Sequence, residues 1–279
     1  IGAVVATTLV PARQKAMAVS IMFSGLTLAN VLGVPLGTAL GQWAGWRMSF
    51  WAIVPIGIAA AAAILRWLPN DIALQPTRLS QEVRVLGRPA VLLPMLVSTL
   101  MSASLFATFT YVTPLLETLA GVSPHGVTSV LVLFGIGITI GNLLGGRLAD
   151  WRQLTSMLGL GAVLVLLLVV FSLGATAPVQ AAAIVAGWGL VHFASSVPLQ
   201  SRVVAGAGDA PNFASVLNQS AFNLGNAIGA WLGGQALTAG MSYANLPLLS
   251  AMLAALGLVV LGFDGLLSHR RRATLAPAA

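Results

Sequence analysis

The chain has 279 residues, of which 58% are hydrophobic and 7% charged, far from the roughly half apolar and about one-quarter charged mixture of soluble domains. That balance excludes an ordinary soluble protein and points to a chain built for lipid. The absence of cysteine excludes disulfides and thiolate metal sites, and the net charge of +7 acquires its meaning from where each basic residue lies.

Residues 1–9, IGAVVATTL, are apolar but too short to span a bilayer. No basic segment precedes them, so they do not read as a signal peptide, and they are taken as the tail of a helix in a longer protein. Apolar runs long enough to cross a membrane then follow at 16–41, 48–68, 92–116, 127–148, 155–175, 180–203, 214–238 and 246–267. The expected fold is therefore an all-α integral membrane protein, a bundle of about eight spans plus the tail of another. The first and seventh runs are weaker in hydropathy because they carry Gly and Asn.

Charge placement gives orientation. Of 13 basic residues, only Arg47 falls in an odd-side loop. The others lie before the first full span (Arg13, Lys15), after the second (Arg66, Arg78, Arg84, Arg88), after the fourth (Arg147, Arg152), at the end of the sixth (Arg202) and after the eighth (Arg270, Arg271, Arg272). This alternation is the positive-inside pattern and sets the C-terminus in the cytoplasm. Trp43, Trp46 and Trp51 cluster at one expected interface, and Trp67 and Trp151 at the other. A basic face interleaved with aromatics, as nucleic acid requires, is not what this distribution describes.

The long polar connection NDIALQPTRLSQEVRVLGRP, 70–89, divides the chain. Expected units are 1–69, the end of one half-bundle; 70–89, a cytoplasmic linker; 90–268, a six-helix bundle; and 269–279, a cytoplasmic tail. LANVLGVPLG at 28–37 returns as LGNAIGAWLG at 224–233, each in the second-last span of its group. Such an echo fits two halves related by an axis along the membrane normal. A weaker third copy, IGNLLGG, stands at 140–146.

On a helical wheel Asn30, Gly33, Gly37 and Gly41 fall within about 80°, giving a face without bulk beside Pro35, which interrupts the hydrogen-bond ladder. In the second copy Gly225, Gly229 and Gly233 form the smooth face. Asn218, Gln219, Asn223 and Asn226 spread over about 140° partly overlapping it. Small faces let membrane helices approach closely; two readings stand, a static packing seam or a surface that slides and faces the central pathway or the other half.

These stretches together resemble the major facilitator superfamily, in its drug:proton antiporter and arabinose-efflux-like branch. GVPLG is similar to the antiporter motif on the fifth helix, with Val34 between Gly33 and Pro35 and Thr38 where a final Gly is usual. GGRLADWR, 145–152, resembles the loop motif between helices eight and nine at Gly146, Leu148, Ala149 and Asp150, with Trp151 in place of Arg and Arg152 one position late. QSAFNLGNAIGAWLGG, 219–234, resembles the eleventh helix. The resemblance runs over essentially the whole chain and implies the fourth-helix end through the twelfth, with roughly four helices, and the coupling acid that relatives carry there, lying upstream. It also implies a latch at Gly146, Arg147, Asp150 and Arg152, made and broken as the transporter alternates.

Other candidates come from the residues themselves. The run 92–116 sets Ser98, Thr99, Ser102, Phe106, Phe109 and Thr113 within about 100°, a mix that suits an amphipathic ligand or, equally, an aromatic packing face with hydroxyls bonded to their own backbone. Tyr111 lies off the stripe and Pro114 marks an expected bend. His192, with Trp188 one turn earlier and Ser195 and Ser196 after it, is the titratable residue nearest mid-span, and ionisable groups at that depth are functional candidates. Glu117 and Asp264 lie near span ends.

The expected function is a secondary active transporter, exporting a drug or sugar in exchange for protons by alternating access; an importer or a non-transporting membrane sensor is the alternative. No nucleotide-binding loop is present, and His125, His192 and His269 are scattered, so neither a primary pump nor an enzyme is expected. Expected partners are the lipid bilayer, a small-molecule substrate and protons, without cofactor, metal or nucleic acid. The protein is expected to act as a monomer in a bacterial inner membrane.

Overall fold

The computed structural model describes residues 10–11, 25, 28–68, 87–174, 177–208 and 210–275, and its regular structure there is entirely helical. A π-helical turn, Ala29–Gly33, leads into α1 (Val34–Ala44). Pro35 explains the wide turn: its ring excludes the carbonyl four residues back and it has no N–H to give. Gly45, at φ 86°, turns the chain into α2 (Trp46–Trp67).

The six-helix part follows as α3 (Pro89–Phe109) and α4 (Val112–Ala120), then a helical stretch Pro124–Gly174 interrupted at Arg152. Its arms are α5 (Pro124–Ala149) and α6 (Trp151–Gly174). Next come α7 (Pro178–Gly206), α8 (Pro211–Thr238) and, after a 3₁₀ turn, α9 (Leu246–Leu275). The punctuation is regular. Proline opens α3, α7 and α8 at the first turn, where a missing N–H costs nothing. Gly121, at φ 61°, closes α4 in the left-handed conformation.

Among the described residues six helices are long and apolar enough to cross a membrane: α2, α3, α5, α6, α7 and the stretch Tyr243–Ser268, made of the 3₁₀ turn and most of α9. The sequence predicts eight spans. The first, 16–41, lies largely outside the described residues. The seventh is realised as α8, whose 28 residues suffice in length but carry too many amides to count as apolar. Two further expectations need correction. The run 92–116 is two helices that part at Thr110–Tyr111, not one bent at Pro114, which sits in the first turn of α4. The segment 145–152 is helical up to the break at Arg152 (φ −140°, ψ 71°), so little of the motif is loop. Of the linker 70–89 only its last residues, Gly87 to Pro89, are described.

The core sits among α3 to α7 and α9, around Trp188, Phe171, Leu115, Leu164, Leu168 and Leu261. Helices close on one another through backbone, as lipid gives no hydrophobic drive for pairing. A Cβ on Gly233 would lie 2.5 Å from the Ala107 carbonyl oxygen of α3, and Cβ atoms on Gly225 and Gly229 would lie closer still to Thr99 and Ala103. Gly137, Gly141 and Gly145 of α5 do the same against Ala186, Leu190 and Ala194 of α7. The weak third copy of the repeat is thus part of a packing seam.

Polar ties reinforce the apolar ones. Ser104 donates to the Ser250 carbonyl at 2.7 Å, and the Thr108 and Ser250 hydroxyls share a hydrogen bond of 2.7 Å. All three residues are buried. Ser250→Ala strands the Thr108 hydroxyl, and an expected loss of about 1–2 kcal/mol should appear as a lower melting temperature of the purified protein.

α2 has no buried residue, and its exposed Trp, Ile and Leu side chains suit a lipid-facing position. The Arg47 guanidinium lies 4.4 Å from the Trp46 ring centre, a cation–π contact at the helix start. α1 packs on α2 through Ser49, whose hydroxyl donates to the Gly37 carbonyl at 2.9 Å. It also meets the second group of helices, with the Gln42 side chain donating to the Pro124 carbonyl at 2.8 Å.

Candidate functional site: an amide-faced helix beside an aromatic core

α8 presents two faces of opposite character. Gly225, Gly229 and Gly233 are turned toward α3, as above. Gln219 and Asn223 are exposed and Asn226 is half-buried, on a helix whose other side is closed against the bundle. The glycines therefore pack within their own six-helix group, and the amides, not the glycines, are the part of the repeat presented outward. In the first copy Gly33 and Gly37 have open space around them, and Pro35 is buried. A Cβ on Gly41 would lie 3.3 Å from the Ser49 hydroxyl oxygen. The Asn30 side chain lies outside the described part.

Asn218 faces the other way. It is fully buried and donates through its side-chain amide to Gln200 of α7, which in turn donates to Ser215 at 2.8 Å. The side-chain oxygen Oδ1 of Asn218 is buried and unpartnered. The network joins α7 to α8 on the inner side of the amide face.

The hydroxyl stripe of α3 is largely committed. Ser98 donates to Pro94 at 3.1 Å; Thr99 donates to Met95 at 3.1 Å and to Ala221 of α8 at 3.3 Å. Ser102 is buried beneath Gly225. Phe106 and Thr113 remain half-buried. Phe109 belongs to an aromatic cluster: it stacks on Phe134 at 4.8 Å between centres and meets Trp188 edge-on at 6.2 Å, while Trp188 also contacts Phe171 at 6.3 Å.

Trp188 and His192 lie one turn apart on α7, and the structure places them in the bundle interior, 0% and 3% exposed. The indole N–H and the His192 Nδ1 both lack a partner, an unfavourable arrangement for two buried polar groups. The Ser195 and Ser196 hydroxyls both donate to the His192 carbonyl, at 2.7 and 3.2 Å.

At the arginine-rich end, Arg147 and Arg152 are exposed, and Arg152 lies 5.9 Å from the Trp151 ring. The Asp150 side chain lies outside the described part, and so does the ion pairing expected of it. Beside the motif, Gln153 donates to the Pro198 carbonyl at 2.9 Å, tying the start of α6 to α7.

Sequence reasoning passed over the pair Arg202–Asp264. Arg202 Nε donates to the Asp264 carboxylate at 2.5 Å and its Nη2 donates to Ser268 at 3.1 Å, joining α7 to α9. A signal existed: both residues end apolar runs on the same side of the membrane, where opposite charges at one depth pair. Glu117, by contrast, is exposed on α4. Among the described residues no group of three or more His, Asp or Glu side chains is placed to hold a metal.

A bundle with six membrane-capable helices among the described residues, and an amide-bearing helix packed beside them, is in class a multi-pass membrane protein. A family model for the Major Facilitator Superfamily matches residues 1–230, and the chain belongs to that family. Among its relatives are the Escherichia coli (strain K12) inner membrane transport protein YdhP, 40% identical over 93% of this chain and 67% of the relative, and the Escherichia coli (strain K12) putative transporter AraJ, 33% identical over 91% and 64%. A third is the chloramphenicol resistance protein of Streptomyces lividans, 34% identical over 91% and 66%. The chain spans about two thirds of the length of these relatives.

Proposed function

We propose that this protein is a proton-coupled exporter of a small organic compound, working by alternating access in a bacterial inner membrane with its C-terminus in the cytoplasm. The observation that carries the reading is the amide face of α8. Lipid cannot satisfy Gln219 and Asn223, so the surface they occupy must border water, substrate or polar groups of a neighbouring helix. With Phe106 half-buried on the adjoining α3, the surface offers amides and an aromatic edge, which suit a neutral or weakly polar aromatic compound. A relative named for chloramphenicol resistance supports a drug-like substrate. Exchange for protons is the energy source that the branch resemblance implies, with no cofactor.

Gln219→Leu with Asn223→Leu tests the reading. Both side chains are exposed, so stability should stay within about 0.5 kcal/mol. Export of a transported drug from cells should fall at least about tenfold, the cost of ~1.4 kcal/mol in binding. Undiminished export by the double variant would remove the amide face from the pathway.

A further inference from the structure

Where α3 begins and the membrane-capable stretch of α9 ends, the two helices part and leave an open groove of about 180 Å³. Pro89, Ala90 and Leu93 of α3 form one wall, Leu267 and Ser268 of α9 the other, and Asp264 lies between them. The Asp264 carboxylate is held by Arg202, which also donates to Ser268, so this pair leaves no net charge in the groove. Arg88, one residue before Pro89, turns to the end of α7 and donates to the Ala207 carbonyl at 2.7 Å.

Beside the groove the outer surface is apolar. Leu92 and Leu96 of α3 are 43% and 46% exposed, and Phe263 and Leu266 of α9 are 54% and 67% exposed. On each helix these residues adjoin the face that lines the groove, so an acyl chain can run from it into the hydrocarbon layer.

The charge lies just beyond. α9 does not stop at Ser268 but continues to Leu275, about 10 Å further at roughly 1.5 Å per residue. That extension carries Arg270, Arg271 and Arg272, and no acid follows Asp264 in the sequence. Position 271 comes one turn after Leu267 and Ser268, and so falls on the groove side of α9; positions 270 and 272 flank it. A helix whose apolar stretch ends at a groove and then carries three cations puts positive charge at the depth of lipid phosphates.

We propose that this groove holds an anionic phospholipid, with its phosphate at the level of the arginine run and an acyl chain against Leu92, Leu96, Phe263 and Leu266. Charge complementarity selects the occupant. A zwitterionic lipid fits the apolar walls equally but gains little from three arginines, and a free phosphate makes no use of the walls. The site requires a multi-pass membrane protein, not an exporter, so it stands apart from the transport reading.

With the whole protein delipidated in detergent, its melting temperature is followed against added phosphatidylglycerol, phosphatidylcholine or inorganic phosphate, since a ligand of the folded state raises it. Phosphatidylglycerol should half-saturate at a concentration at least about tenfold below phosphatidylcholine, each arginine near an anionic surface contributing about fivefold. The triple variant Arg270→Gln, Arg271→Gln, Arg272→Gln should lose that preference. Leu93→Trp and Leu267→Trp each fill the groove from one wall and should lose it too. A preference kept by the arginine variant or by both groove variants would overturn the proposal, and so would equal stabilisation of the native protein by phosphatidylcholine or by inorganic phosphate. No transport enters the readout, so a failed drug response and a failed lipid response are separate results.

Discussion

Gly229→Leu is expected to lose transport and to melt well below the native protein. The position allows no side chain: even a Cβ would lie 2.8 Å from the Ala103 Cα of α3 and nearer to its carbonyl oxygen. These are backbone atoms that cannot rotate away, so α3 and α8 must separate. Overpacking of this kind costs about 1–3 kcal/mol and occasionally more, and with a clash against backbone ~3 kcal/mol is expected. For a chain of this size that is about 10 °C in melting temperature, readable in detergent by thermal aggregation. Gly33→Leu, at the matching place in the first copy, should behave otherwise. A Cβ there meets nothing within 4 Å, so the change should stay within about 0.5 kcal/mol. Equal melting losses in the two variants would mean that the copies pack alike, against the geometry.

Asp264→Ala is the second large effect. The carboxylate is 4% exposed and its partner Arg202 16%, so removing one leaves the other charge largely buried without its counter-ion. Breaking such a pair costs about 3–5 kcal/mol, and the residual exposure of Arg202 together with its bond to Ser268 places the expectation at about 3 kcal/mol. Replacing both, Arg202→Leu with Asp264→Leu, should recover most of that loss, because no charge is then stranded. Melting curves of the two singles and the double close the cycle. Additive losses would show that the two residues act independently.

The sequence was most informative where one physical constraint acts alone. Lipid demands long apolar runs, and those at 48–68 and 180–203 became α2 and α7 within a few residues, while 246–267 matches the membrane-capable stretch Tyr243–Ser268, beyond which α9 runs on to Leu275. The helix ends follow ordinary backbone preferences, with Pro178 opening α7 and Gly121 closing α4. Periodicity found the stripe Gly225, Gly229 and Gly233 but could not say which neighbour it meets. That choice depends on tertiary packing, and the partner proved to be α3. The hydroxyls of Ser98 and Thr99 were legible as a stripe, whereas their bonds to Pro94, Met95 and Ala221 depend on backbone positions that residue types do not encode. The step at Thr110–Tyr111 was missed for a related reason. Pro114 carried the visible signal, but proline is tolerated in the first turn of a helix, and the break lies upstream at Thr110–Tyr111, where the Tyr111 hydroxyl donates to the Ala230 carbonyl of α8. Arg202 and Asp264 lie 62 residues apart, and only their shared depth in the membrane linked them in advance.

The most direct test is proton movement. With the whole protein in sealed vesicles, a pH gradient imposed and the lumenal pH followed by a trapped dye, addition of an aromatic drug such as chloramphenicol should cause an immediate change in lumenal pH. The change should scale with drug concentration and vanish in the Gln219→Leu, Asn223→Leu double variant. A lumenal pH that stays unmoved across a panel of drugs and sugars, with the protein shown to be folded, would contradict proton-coupled export.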